Sequence, residues 1–246
     1  MHPIERLRAV ARAQGVDQRL LAREAAATLG VLAVEPFGLV MSCRRLLERH
    51  PGAGTLWWAC ARLLDTADAR LEARAIGRAL ADDVIVRTLA LDLPERACVV
   101  VVPDPTGGSV LAEHLADRRD DLVVVEADFP AFDVPAALDA AGPPSHRPAT
   151  PGTGPTVVLV EAGAAGPDAF LTLEGTTEAI GPKGDRPAPV WLALGTGRRL
   201  PASLFAAVQR RVDEVETVAQ ALVDRVIEPR PEPCPAPPEL LRQWIS

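Results

Sequence analysis

Apolar positions recur at spacings of three and four through the first third of the chain. RLLAREAAATLGVL, TLWWACARLLD and ARLEARAIGRAL, all between Val16 and Ala81, each place an apolar stripe on one helix face, and strand-like alternation is almost absent there. The pattern then changes. CVVVV from Cys98 to Val102, TVVLVE from Thr156 and PVWLALG from Pro189 are short β-branched or apolar runs that end in small residues. That is the composition of parallel strands covered on both faces. The order predicts an all-helical N-terminal domain over residues 1–92. An α/β domain follows over residues 93–246, a Rossmann-like parallel sheet with flanking helices.

Ligands of open parallel sheets gather at the carboxyl ends of the strands. Glu161, Ala162 and Gly163 follow one strand, and Gly195, Thr196 and Gly197 follow another. The first strand empties into Pro103, Asp104 and Pro105, then Thr106, Gly107, Gly108 and Ser109. Asp104 is either an acid/base whose pKa burial raises, or the cap of a turn and helix. A Gly-Gly turn opening a helix leaves free backbone donors and a positive dipole end, so Thr106–Ser109 is a phosphate cradle or an empty turn. Arg198, after the GTG turn, contacts phosphate bidentately or faces solvent. Glu126 follows the glycine turn at roughly the interval of a ribose-binding carboxylate, yet the glycines are adjacent and no G-x-G-x-x-G exists.

Composition narrows the function classes. The 246-residue chain is 48% hydrophobic, enough for one α/β domain with a helical cap, and its net charge of −7 argues against a broad nucleic-acid surface. Lys183 is the one lysine, against abundant Ala, Arg and Pro, which reads as high-GC bacterial coding bias. Paired arginines such as Arg44 and Arg45 read as solvated faces. The four cysteines and four histidines show no metal-ligand spacing and no disulfide framework, so neither metal nor cofactor is expected. P-loop, zincin and nucleophile-elbow motifs are absent. A charged, helical start and no membrane-spanning run predict a cytoplasmic protein. Residues 142–155 read as a loop, and residues 228–238 as a Pro-rich tail whose apolar finish, Leu240 to Ile245, docks on the body or on a partner.

Residues 156–201 resemble the family that joins the regulatory subunits of eukaryotic initiation factor 2B with methylthioribose 1-phosphate isomerase and ribose 1,5-bisphosphate isomerase. Members read VGAD, then NK and GT, then a strand of the PVYV type. The matching positions here are Glu161, Ala162 and Gly163, then Thr172 and Leu173, Gly175 and Thr176, and Pro189, Val190 and Trp191. Glu126, Ala127, Asp128, Phe129 and Pro130 match an E-S-R-P motif, and His50 and Pro51 match an Arg-Pro pair near ligand phosphate. The resemblance implies a sugar-phosphate site and a homodimer. Two proton-transfer groups of the isomerases are missing. Gly163 replaces an Asp, and Cys98 opens the first strand where the isomerases carry a Cys at its end.

These substitutions favour a non-catalytic binder of a phosphorylated sugar or nucleotide, with a regulatory or assembly role. His50, Thr106, Gly107, Gly108, Ser109, Gly163, Gly175, Thr176, Gly195, Thr196 and Arg198 are its candidate ligand residues. An aldose–ketose isomerase with Asp104 or Glu161 as rebuilt acid/base is the alternative. A protein-interaction module using the Pro-rich tail and a Trp57/Trp58 surface is a third reading.

Overall fold

A computed structural model describes residues 3–32, 36–82, 84–127, 154–228, 233–236 and 239–245. Five helices open it: α1 (Pro3–Arg12), α2 (Gln18–Leu32), α3 (Pro36–Arg49), α4 (Gly54–Leu64) and α5 (Ala69–Ala81). α4 is apolar on nearly every side because it runs through the centre of this layer, with Leu56, Trp57, Trp58 and Cys60 all fully buried. α5 shows ordinary surface-helix design. Its N-cap Asp68 accepts from the Leu71 N–H, and only Ala73, Ile76 and Leu80 are buried on its inner stripe.

α6 (Ile85–Asp92) leads into β1 (Cys98–Val102), α7 (Leu111–Arg118), β2 (Val123–Glu126) and β3 (Thr156–Glu161). The central sheet also takes β6 (Val190–Ala193) and β8 (Arg225–Ile227), in the order β2-β1-β3-β6-β8, all parallel. Alternation divides each strand between two cores. Val99, Val101, Val157 and Leu159 face α6 and α7, whereas Val100, Val102, Val158 and Val160 face the other way. α6 thus packs on the sheet, although it falls within the helical stretch of the sequence.

On the opposite face the sequence pattern did not foresee a second sheet. It consists of β4 (Ala164–Ala165), β5 (Ala169–Leu173) and β7 (Val215–Ala219), antiparallel throughout, with α8 (Thr176–Ile180) beside it. Phe170, Ile180 and Val218 from this layer seal the second core. Helix α9 (Ala202–Gln209) joins the sheets to the helical layer, burying Leu204, Phe205, Ala207 and Val208.

The C-terminal helix α10 (Glu239–Ile245) docks on the helical layer. Leu241 is fully buried, and the Trp244 ring stacks on Trp57 at 5.8 Å between centroids. Arg211 lies over Trp244 at 4.5 Å and donates to its carbonyl. The Trp58 indole N–H donates to the Pro233 carbonyl. Trp57 and Trp58 are therefore core residues, and the surface that the interaction-module reading drew from them does not exist. Among the described residues no helix is long and apolar enough to cross a membrane.

Replacing the buried Trp57 by Ala removes both a core side chain and the seat of Trp244. Urea unfolding of Trp57→Ala is expected to show a loss of about 3–5 kcal/mol. Trp244→Ala should cost about 1–2 kcal/mol, since it loses one partly buried aromatic contact, with earlier proteolytic cleavage of the tail.

Candidate functional site

The chain runs from β1 outward to β2 and returns to place β3 on the other side of β1, so strand order reverses between β1 and β3. Their carboxyl ends flank the crevice where open α/β sheets bind ligands. Asp104 stands two residues beyond β1 and Glu161 ends β3. Both are buried, and so is Arg198, which lies between them. One guanidinium nitrogen of Arg198 reaches Asp104 Oδ2 at 3.1 Å and donates to the Ala162 carbonyl at 2.6 Å; the other donates to Glu161 Oε1 at 2.6 Å. The bidentate role expected toward a phosphate is taken by two carboxylates of the protein itself.

The remaining lone pairs are also used. Asp104 Oδ1 accepts from the Thr106 N–H at 2.8 Å, and Oδ2 accepts from the Gln18 side-chain amide at 2.6 Å. The Ser109 hydroxyl donates to Glu161 Oε2. Asp104 therefore caps its own turn while belonging to a buried charge cluster. Burial pushes its pKa up to about 6, with Arg198 pulling it down and Glu161 pushing it further up. Burial alone would lower the Arg198 pKa, but Glu161, Asp104 and Asp17 outweigh it and hold the guanidinium charged.

Gln18 is the connecting residue. From the first turn of α2 it also donates to the Gly163 carbonyl at 3.1 Å, and its amide oxygen accepts from the Thr55 N–H at 3.2 Å. Thr55 in α4 in turn donates through its hydroxyl to the Thr196 carbonyl at 3.3 Å. Asp17, Gln18 and Thr55 are buried polar residues of the helical layer that sequence reasoning missed. Their polar letters inside an otherwise apolar pattern are the one signal that marks them.

Three glycines let backbones meet here. A Cβ on Gly108 would lie 2.1 Å from the Val16 carbonyl carbon, so the segment before α2 rests directly on the glycine turn. A Cβ on Gly163 would lie 2.9 Å from the Pro105 ring and 3.2 Å from the Gly52 carbonyl. The place where the isomerases of the resemblance carry an Asp is closed by the entry to α4, whose Gly54 N–H donates to the Gly163 carbonyl at 3.1 Å. Gly197, at φ +78°, has the Trp58 ring 2.7 Å from a would-be Cβ. Glu161, Gly195, Thr196 and Arg198 border a narrow pocket of about 30 Å³ that also reaches Val86 and His114.

Larger space lies on the other side of the glycine turn. A cleft of about 520 Å³ runs between the helical layer and the sheets, with His50, Gly52, Thr106, Gly107, Leu173 and Val212 in its wall. His50, Thr106 and Gly107 are thus brought together, with Gly163 just behind Pro105. His50 is half-buried and its Nε2–H donates to the Val10 carbonyl at 3.0 Å. Burial lowers its pKa, the Val10 carbonyl opposes that and Arg49 adds to it, so on balance the cationic ring is disfavoured. Gly175 and Thr176 lie elsewhere. Gly175 is the left-handed N-cap of α8, and the Thr176 hydroxyl donates to the Leu173 carbonyl, fixing the end of β5. Glu126 ends β2, and Asp128, Phe129 and Pro130 lie outside the described residues, as does most of the predicted loop 142–155. No cluster of His, Cys, Asp or Glu among the described residues is arranged to hold a metal ion.

Removing Arg198 leaves two buried carboxylates without a counter-charge. Arg198→Met is expected to lower stability at neutral pH by about 3–5 kcal/mol, measured by denaturant unfolding. The Asp104 pKa is raised on folding, so its contribution is fully present below the ordinary carboxylate pKa and is lost as pH rises through about 6. Between roughly pH 4 and 6 the wild type should lose up to about 1.4 kcal/mol per pH unit from this group. Asp104→Asn should flatten that part of the profile.

No family model and no curated protein matches the sequence. Solved structures do match. Translation initiation factor eIF-2B of Pyrococcus horikoshii OT3 superposes with a TM-score of 0.61 at 11% identity, over 92% of this chain and 94% of that one. eIF2B beta from Chaetomium thermophilum gives 0.58 at 14% identity, over 92% and 83%. The tetrameric eIF2B-beta2-delta2 complex from C. thermophilum gives 0.58 at 14%, over 92% and 88%. Helical layer, switch point and second sheet together thus carry the fold of the initiation factor 2B-like proteins.

Proposed function

We propose that this initiation factor 2B-like chain binds a phosphorylated sugar or nucleotide in the 520 Å³ cleft without transforming it, in a regulatory or assembly role. One observation carries the reading: both candidate acid/base carboxylates, Asp104 and Glu161, stand outside the cleft wall, tied to Arg198. Proton transfer between adjacent carbons needs a group within hydrogen-bond reach of the substrate. The acids in the cleft wall are Asp213 and Glu214, both exposed. Thr106 and Gly107 supply small polar and backbone groups of the kind that hold a phosphate, and His50, although its cationic form is disfavoured, still borders the same space. Self-association accompanies this proposal, since one of the similar structures is a tetrameric complex of beta and delta subunits.

The isomerase reading has one point in its favour. A carboxyl with a pKa of about 6 is well matched to acid/base work near neutrality.

Calorimetric titration with ribose 5-phosphate and AMP, followed by an isomerase assay on any binder, separates the two. Binding without turnover is expected. Gly52→Leu, whose side chain would fill the cleft beside Thr106 and Val212, should abolish binding while leaving the circular dichroism spectrum unchanged. Turnover that disappears in Asp104→Asn or Glu161→Gln would establish the isomerase instead.

A further inference from the structure

A groove of about 780 Å³ lies between α1 and α3, and it is strongly cationic on an acidic chain. Arg8, Arg12, Arg45 and Arg49 line it against a single acid, Glu48. Arg8 pairs with Glu5, whereas Arg12, Arg45 and Arg49 make no ion pair among the described residues. On a chain of net charge −7, gathering four exposed guanidinium groups around one concave surface with one carboxylate creates a local positive field. Guanidinium groups are the side chains best shaped for phosphate oxygens.

The groove is continuous with the cleft, because Ala13, Gln14, Arg49 and His50 border both. The cleft is different in character. Val16, Leu21, Pro105, Leu173, Val212 and Val215 bring apolar side chains into its wall beside polar ones such as Gln14 and Thr106, a surface that can take a flat or weakly polar body. A sugar monophosphate is short and polar all round, and uses neither the apolar wall nor the length of the arginine groove. A ligand with an apolar ring system and an extended anionic tail uses both.

Resting on the binding reading above, we infer that the ligand is a nucleoside polyphosphate, with its nucleoside in the cleft and its phosphate chain in the groove of Arg12, Arg45 and Arg49. Arg49, shared by both spaces, contacts the phosphate nearest the sugar, and Arg45 and Arg12 take the outer ones.

The test is calorimetric titration of the full chain with ribose 5-phosphate, AMP, ATP and inorganic tripolyphosphate. ATP should bind at least about tenfold tighter than AMP, tripolyphosphate should compete with ATP, and ATP affinity should fall steeply with added salt. Arg12→Ala and Arg45→Ala alter exposed helix positions. Each should weaken ATP by about tenfold and leave ribose 5-phosphate unchanged. If ribose 5-phosphate or AMP binds as tightly as ATP, or if Arg45→Ala weakens all phosphates alike, this inference is overturned and the binding reading stands. If none of the four probes binds, both are overturned.

Discussion

Arg198 is the charge on which the rest of the molecule is arranged. A buried guanidinium is tolerated only when its desolvation is offset by opposite charge and complete hydrogen bonding. Here the offset comes from Asp104 at the end of β1, Glu161 at the end of β3 and the Ala162 carbonyl. The strand-order reversal, which in this fold class opens a crevice for ligands, is thereby filled from within. Because Asp104 also receives Gln18 from α2, the same cluster fastens the helical layer to the sheet. A site that would need to open for substrate is instead part of the structural seam between layers.

Close packing at three glycines completes that seam. Gly108 under Val16, Gly163 against Pro105 and Gly52, and Gly197 against Trp58 each mark a contact that a side chain would prevent. The pocket beside Glu161 is narrow, and the larger volume lies in the cleft on the far side of the glycine turn. Chemistry and space are thus separated. Asp104 has an environment that raises its pKa and Glu161 borders only a narrow pocket, while the larger cleft lies elsewhere.

The order of helices and strands was legible in the sequence because periodicity is a local consequence of burial. Cys98–Val102 and Thr156–Glu161 read as strands buried on both faces, and they are. The second sheet was not legible. AFLTL in β5 and VETVA in β7 are too short to establish a period, and their pairing joins residues more than forty positions apart. At the site, Asp104, Ser109, Glu161 and Arg198 were all named from position alone, and they do meet. Asp104 caps its turn, one of the two roles its position allows, whereas Arg198 neither meets a ligand nor faces solvent but turns onto protein carboxylates. Trp57 and Trp58 lie in the core, which removes only the surface of the interaction-module reading.

By itself the sequence determined the helical first third and the buried strands of the parallel sheet at Cys98, Thr156 and Pro189, and where those strands end. It also set the places at which polar groups and glycines must stand, since these follow from residue-scale periodicity and turn chemistry. Tertiary structure decided what those groups face. Gln18 and Asp104 are 86 positions apart, and Glu161 and Arg198 are 37 apart. Whether a carboxylate meets a ligand or a guanidinium depends on long-range packing that no local pattern encodes. The same packing set Asp104 in a buried cluster that raises its pKa, and it opened the cleft beside the arginine groove, on the far side of the Thr106–Gly107 turn.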